Sequence, residues 1–103
     1  MAVLIDPPLW PARDRLWSHL VSDSSYDELH AFAVRLGVPR RAFERDHYDV
    51  PADVYDAALA LGAESVGCQE LVRRLTSAGL RRRRPRRPGR PVRPVAPAAS
   101  ELE

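Results

Sequence analysis

At 103 residues, 45% of them hydrophobic, the chain is long enough for one small globular domain and too short for two. No apolar run approaches the roughly 20 residues that a membrane-spanning helix needs, and the N-terminus lacks the features of a secretory signal. The only cysteine, Cys68, excludes an internal disulfide and is expected to be a structural thiol. We therefore predict a soluble, cytoplasmic protein.

The net charge of +2 conceals two oppositely charged parts. Residues 1–80 contain 8 arginines and 12 acidic residues, whereas residues 81–103 contain 8 arginines and 2 glutamates. The second part repeats Arg and Pro with few large apolar side chains. Because proline removes backbone donors and arginines repel one another, neither a helix nor a packed core is expected there. The sequence predicts a single domain over 1–80 and a disordered Arg/Pro-rich tail over 81–103.

The first part of the chain predicts two strands. Ala2–Asp6 is a short apolar run that ends in an acid, which is typical of a buried strand. Pro7 and Pro8 end this strand, and Leu9–Pro11 is expected to continue as a loop. Leu16–Val21 is the second predicted strand.

A helix is expected next. Ser24 and Ser25 each have an acidic residue three positions on, Asp27 and Glu28, so either serine can begin the helix with a capping box. Gly37 is the expected C-terminal stop.

The second half predicts two more strands and two more helices. His47–Val50 is the third strand, a helix runs from Pro51 to Gly62, Ala63–Val66 is the fourth strand, and Cys68–Ala78 is the last helix. Because a helix separates strands three and four, we expect them to form a parallel pair with a right-handed crossover. The predicted fold is α/β, with a small open, at least partly parallel sheet of about four strands and about three helices.

An ordered set of short motifs runs through the predicted domain: Val3-Leu4-Ile5-Asp6, Ser18-His19-Leu20-Val21-Ser22-Asp23, Glu28-Leu29-His30, His47-Tyr48-Asp49-Val50, Gly62-Ala63 and Gln69-Glu70-Leu71-Val72. This set resembles a small bacterial and phage family known as a domain of unknown function, number 4031, over roughly residues 2–80. The family has no assigned activity. Some larger proteins that resemble it join this domain to an HD-type metal-dependent phosphohydrolase, which implies phosphoester or nucleotide chemistry by analogy alone.

The histidines and acids of the first half are the candidate functional residues. Asp6 follows the first strand, and ligands of open α/β sheets gather beyond the carboxyl ends of strands; alternatively, Asp6 caps the loop after it. His19 shares a strand face with Trp17 and Val21, either as a ligand or as a core imidazole with one backbone partner. His30 lies at the margin of the first helix, in a cleft or on a solvated flank.

His47 and Asp49 form the strongest pair. Alternation along a strand sends both to one side, about 7 Å apart, where they can share a metal ion or an acid/base task. The alternative makes Asp49 the N-cap of the next helix.

We predict from these residues a metal-binding cleft in an enzyme that hydrolyses a phosphate-containing small molecule or nucleic acid with a metal-activated water. Mixed histidine and carboxylate ligands suit zinc, manganese or iron, although the spacing matches no zinc-finger or His-Glu-x-x-His motif. The predicted catalytic residues are His47, Asp49 and His19. The predicted metal ligands are Asp6, His19, Asp23, His30, His47 and Asp49.

The tail supports an alternative function. A non-catalytic adaptor would use its arginines to neutralise phosphates in a partner or nucleic acid, although aromatic residues for base stacking are absent from the tail. The tail could equally be a solvated extension, or could screen the acidic domain. The predicted contact residues are Arg81, Arg82, Arg83, Arg84, Arg86, Arg87 and Arg90.

Overall fold

A computed structural model describes residues 2–82 of the chain and shows a mixed six-stranded sheet with three α-helices. The predicted α/β class and the partly parallel sheet are confirmed, although the sheet has more strands than expected. Short 3-10 turns lie at Arg40–Ala42 and Ala52–Val54. The elements are β1 (Val3–Ile5), β2 (Trp10–Ala12), β3 (Arg15–Ser22), α1 (Tyr26–Leu36), β4 (Phe43–Glu44), β5 (His47–Pro51), α2 (Tyr55–Ala60), β6 (Glu64–Ser65) and α3 (Cys68–Ser77).

Two sequence-based expectations concern regions or properties beyond these elements. The prediction that the tail is disordered concerns residues that, from residue 83 onward, lie outside the part of the chain that the structure describes. Across residues 2–82, no helix is both long and apolar enough to cross a bilayer.

The sheet is organised around β3, an eight-residue strand that is paired along both edges. β1 and β2 follow one another along one edge, and β5 occupies the other, all antiparallel to β3. The strand order is β4-β5-β3-β1-β6, and the single parallel pair of this sheet is β1 with β6.

The expected parallel pairing between the third and fourth predicted strands is wrong. β5 and β6 run in the same direction, but β3 and β1 lie between them. The reason is that β5 already pairs with β3 on one edge and with β4 on the other, in a hairpin whose short first strand the sequence did not reveal. The free edge of β1 therefore receives β6.

The expectation of a loop over Leu9–Pro11 is also wrong, because β2 begins at Trp10. A two-residue turn at Arg13 and Asp14, both with positive φ (50° and 63°), folds β2 back onto β3. Such turns match the twist of a hairpin but usually carry Gly or Asn, which are absent here. Pro11 is tolerated because β2 is short and exposed.

The first helix has the predicted ends. Ser25 is the N-cap, and its hydroxyl accepts a hydrogen bond from the Glu28 N–H at 3.0 Å. Ser24 instead donates to the Glu28 carboxylate at 2.6 Å, so both serines stabilise the first turn. Gly37 ends the helix with a φ of 84°, a conformation that glycine adopts without steric cost.

Helices cover both faces of the sheet. On one face, Leu20 and Tyr48 pack with Leu29 of α1 and with α2. On the other face, Val21 packs with Leu71 and its neighbours on α3. Since successive strand residues point to opposite faces, Leu20 faces α1 whereas its neighbours on β3 face the α3 side.

Asp23 connects the start of β1, the end of β3 and α3. Its carboxylate accepts a hydrogen bond from the Ala2 N–H at 2.8 Å and one from the Arg74 guanidinium at 2.8 Å. Burial raises the pKa of Asp23, but these two hydrogen bonds outweigh that effect and hold the pKa below its ordinary value of 3.8. The ionised carboxylate is therefore a stabilising part of the fold.

Replacing Asp23 by Asn should lower the melting temperature at pH 7 by roughly 4 °C, since the ion pair with Arg74 is lost. A carboxyl group with a depressed folded-state pKa stabilises fully above its unfolded pKa, and the stabilisation disappears as the pH falls through the folded pKa. The wild-type and variant melting curves, followed by circular dichroism, should therefore differ at pH 7 and converge towards pH 3. A difference that persists unchanged at low pH would contradict this role.

Candidate functional site

Three adjacent strands bring acidic and imidazole side chains together on the α3 face of the sheet. His19 on β3 lies directly opposite Asp49 on β5. Asp6, one residue beyond β1, donates its backbone N–H to the His19 carbonyl at 3.2 Å. His47 is two residues from Asp49 and therefore shares its side of β5, with the His19 and His47 ring centroids 5.2 Å apart in an edge-to-face arrangement.

Asp6 holds His19 through two hydrogen bonds. One carboxylate oxygen accepts the His19 backbone N–H at 2.6 Å, and the other lies 2.8 Å from His19 Nδ1. The second oxygen also accepts the indole N–H of Trp10 at 3.3 Å. Asp6 is 1% exposed, so its charge is satisfied by these donors rather than by bulk water.

His47 is held in the same way by Asp46, which the sequence analysis did not identify. Asp46 is fully buried, and its Oδ1 lies 2.8 Å from His47 Nδ1. Its other oxygen accepts the Arg82 backbone N–H at 2.7 Å and the Arg81 guanidinium at 3.3 Å. Burial raises the pKa of Asp46, but His47 and these donors outweigh that effect and lower it.

The two aspartate–histidine pairs leave the same ring nitrogen available on each histidine. Because each Nδ1 faces a carboxylate, it carries a proton, and Nε2 is the nitrogen that can bind a metal ion. On His47 this nitrogen lies 3.2 Å from Asp49 Oδ1, so a bound metal ion would displace a proton there. Ligand atoms of His19, His47 and Asp49 all lie within 4.8 Å of one another, a separation that allows one metal ion to contact all three. The side chain of Asp49 is 43% exposed, so the group is open to solvent on one side.

Electrostatics favour a positive charge in the middle of this group. Burial lowers the pKa of His47, but hydrogen bonds with Asp49 and Asp46 outweigh that effect and raise the pKa above its ordinary value of 6.5. Burial raises the pKa of Asp49, yet the interaction with His47, whose Nε2 lies 3.2 Å from Asp49 Oδ1, lowers it overall. The carboxylates that favour a proton on His47 would therefore also favour a bound cation.

Cys68 forms a second, overlapping group with Asp6 and His19, with ligand atoms also within 4.8 Å of one another. Burial and the neighbouring charge of Asp6 raise the pKa of the thiol, which disfavours the thiolate that binds metals. In addition, both oxygens of Asp6 already accept hydrogen bonds. The group of His19, His47 and Asp49 is therefore the better metal site.

Two of the six predicted ligands lie elsewhere. His30 is on the opposite face of the sheet, where its Nδ1 lies 2.8 Å from the Tyr48 hydroxyl and its ring packs against Phe43. Asp23 binds Arg74 at the other end of β3, as described above. The structure thus brings together Asp6, His19, His47 and Asp49, and separates His30 and Asp23 from them.

The first two tail arginines have structural contacts. Arg81 and the backbone of Arg82 bind Asp46, and the Arg82 guanidinium lies over the Tyr26 ring, 4.1 Å from its centroid. The remaining predicted contact residues of the tail lie outside the described residues; they are Arg83, Arg84, Arg86, Arg87 and Arg90.

Sequence reasoning missed three residues of this site for different reasons. Asp46 immediately precedes His47, and alternation would place adjacent residues on opposite sides. The positive φ of Arg45 (55°) forms a tight turn before β5, however, and Asp46 therefore escapes that rule. The sequence predicts a loop at Trp10 and a structural thiol at Cys68. The Asp46-His47 adjacency was the one available signal.

No curated protein and no solved structure matches the chain. A family model does match, over residues 3–78, in agreement with the resemblance seen in the sequence motifs. The chain therefore belongs to the family described as Protein of unknown function (DUF4031).

Proposed function

We propose that this protein is a metal-dependent hydrolase of a phosphate ester and that His19, His47 and Asp49 hold the metal ion. The observation that carries the proposal is the pair of buried aspartates, Asp6 and Asp46, each hydrogen-bonded to the Nδ1 of one histidine. Outer carboxylates of this kind orient imidazole ligands and increase their basicity in metalloproteins.

The donor set supports a catalytic rather than a structural ion. Two histidines and one carboxylate leave coordination positions for water and substrate, and this set occurs with zinc in hydrolases and with iron in oxygenases. Zinc, manganese and iron are therefore the candidate ions. A bound ion of this type lowers the pKa of a coordinated water and provides a nucleophile near neutral pH.

The surroundings support access by a substrate. The side chains of His19 and Asp49 are 27% and 43% exposed, while His47 is 15% exposed. Their outer partners are buried, so the ligands are held from the protein side and open on the solvent side. The adaptor function of the tail stays a prediction, because six of its eight arginines lie outside the described residues.

Zinc titration tests the metal site directly. Purified, chelator-treated protein should bind Zn²⁺ at about one ion per chain in calorimetry. His47→Ala and Asp49→Asn should each weaken binding by more than about 100-fold, since removing an outer partner alone typically costs 10–100-fold. Asp49→Asn is the variant less affected by misfolding, because the half-exposed side chain of Asp49 can be changed with little effect on packing.

His30→Gln is the matched control for this titration. It removes the one histidine that lies outside the proposed site, on the other face of the sheet. The variant should keep its zinc affinity within about twofold of wild type. Equal affinity in the wild type, His47→Ala and Asp49→Asn would exclude the proposed site.

Zinc affinity should depend on pH with a defined sign. A metal ion must displace the proton that His47 shares with Asp49. Because the pKa of His47 is raised, protons compete with the metal ion at pH values above 6.5. Below that pKa, affinity should fall about tenfold for each pH unit. Calorimetric titrations between pH 6 and 8.5 would measure the slope, and a flat profile would show that His47 is not a ligand.

The outer carboxylates should affect affinity without being ligands. Asp46→Asn keeps the shape of the buried side chain but removes its charge, and should reduce zinc affinity roughly 10- to 100-fold. It should also shift the pH profile to lower values, because the pKa of His47 falls when a neighbouring negative charge is removed. A stable, folded Asp46→Asn protein with wild-type zinc affinity and pH profile would argue against the positioning role.

A further inference from the structure

We propose that the substrate of this site is a nucleotide whose base stacks on Trp10, an inference that rests on the proposed hydrolase function. Trp10 lies on the same face of the sheet as the metal-ligand group, and its ring centroid is 5.1 Å from that of His19. It is 43% exposed, which is a large exposed area for an aromatic ring beside a cluster of polar groups.

The orientation of the Trp10 ring is set by the site itself. Its indole N–H donates to Asp6, the carboxylate that also holds His19. The ring is therefore held in one position relative to the imidazole rather than free to rotate. A preorganised aromatic surface binds a planar ligand without first losing side-chain entropy.

The other tryptophan of the β2–β3 hairpin, Trp17, has structural contacts that Trp10 lacks. Trp17, directly opposite Trp10 in the β2–β3 pair, has the guanidinium groups of Arg13 and Arg15 at 5.2 and 5.7 Å from its ring centroid. Its N–H donates to the Ala12 carbonyl at 2.9 Å. Within residues 2–82, no cation lies over the Trp10 ring, so an incoming ring can stack on it.

Charge near this surface suits a phosphate attached to the base. Arg13 has no carboxylate partner among the described residues, whereas Arg15 lies 3.8 Å from Asp53.

The base and the phosphate of a nucleotide correspond to two neighbouring features of the protein, the Trp10 ring and the group of His19, His47 and Asp49. A single ribose separates the base from its phosphate, and the metal ligand His19 is in direct ring contact with Trp10. A base on Trp10 would therefore have its phosphate on the face of the sheet that carries His19, His47 and Asp49. Stacking accepts any base, because every base has a π-face.

The test compares ligands that differ only in the base. In the full-length, zinc-loaded protein, adenosine monophosphate should bind more tightly than ribose 5-phosphate, as measured by calorimetry. In a Trp17→Phe background, where Trp10 is the only tryptophan, adenosine monophosphate should quench the fluorescence saturably and ribose 5-phosphate should not. Equal affinities for the two ligands would overturn the inference and leave the hydrolase proposal standing.

Two substitutions separate stacking from positioning. Trp10→Ala should weaken adenosine monophosphate binding roughly 5- to 100-fold, while ribose 5-phosphate binding changes little. Trp10→Phe retains an aromatic face but loses the N–H bond to Asp6, and should stay within a few-fold of wild type. Equal losses in both variants would show that Trp10 acts through Asp6, which would overturn the stacking role.

Two further measurements show whether the nucleotide comes from nucleic acid, and separate the nucleotide inference from the hydrolase proposal. A short single-stranded oligoadenylate that binds more tightly than the mononucleotide, with the same sensitivity to Trp10→Ala, would identify nucleic acid as the source. Oligonucleotide binding that Trp10→Ala leaves unchanged, together with no mononucleotide binding, would contradict the inference. Zinc binding without any nucleotide binding defeats this inference alone, whereas absence of zinc binding defeats the proposed function.

Discussion

β3 is paired along both of its edges, and side chains along a paired strand must alternate between the two faces of the sheet. This constraint determines where the chemistry lies. Leu20 is committed to the core beneath α1, so His19 must face the α3 side. The pairing partners then complete the group, because Asp6 follows β1 on one edge and β5 places Asp49 opposite His19 on the other. Packing on one face thus fixes the polar group on the other.

Asp46 connects the site to the C-terminal part of the domain. A fully buried carboxylate is costly unless each oxygen is paired, and here one oxygen holds His47 while the other is bound by Arg81 and the Arg82 backbone. The same short segment is held by a hydrogen bond from the Tyr26 hydroxyl to the Leu80 carbonyl. The residues after α3 are therefore part of the domain as far as Arg82, and they help to position an imidazole that is distant in sequence.

Local chemistry could be predicted from the sequence, whereas strand neighbours could not. The Ser25 cap, the Gly37 stop and the shared side of His47 and Asp49 all depend on residues within a few positions of one another. The pairing of β6 with β1 depends instead on which edges the β4–β5 hairpin leaves free.

The same distinction explains the candidate site. His30 was grouped with the other histidines because no local pattern shows which face of the sheet its helix covers. Asp46 was missed because a single left-handed residue before β5 changes the direction of its side chain. Long-range pairing and one unusual backbone angle therefore account for most of what the sequence did not reveal about the site.

A structural hydrogen-bonded cluster accounts for the protein side of this arrangement. Asp6 and Asp46 satisfy one nitrogen of each histidine, and with that a polar core would be complete on its protein side. The second nitrogen of His47 instead faces Asp49 on the solvent side, with the His19 ring at its edge. Buried carboxylates behind the rings and open ligand atoms in front of them are the arrangement that orients imidazole ligands in metalloproteins.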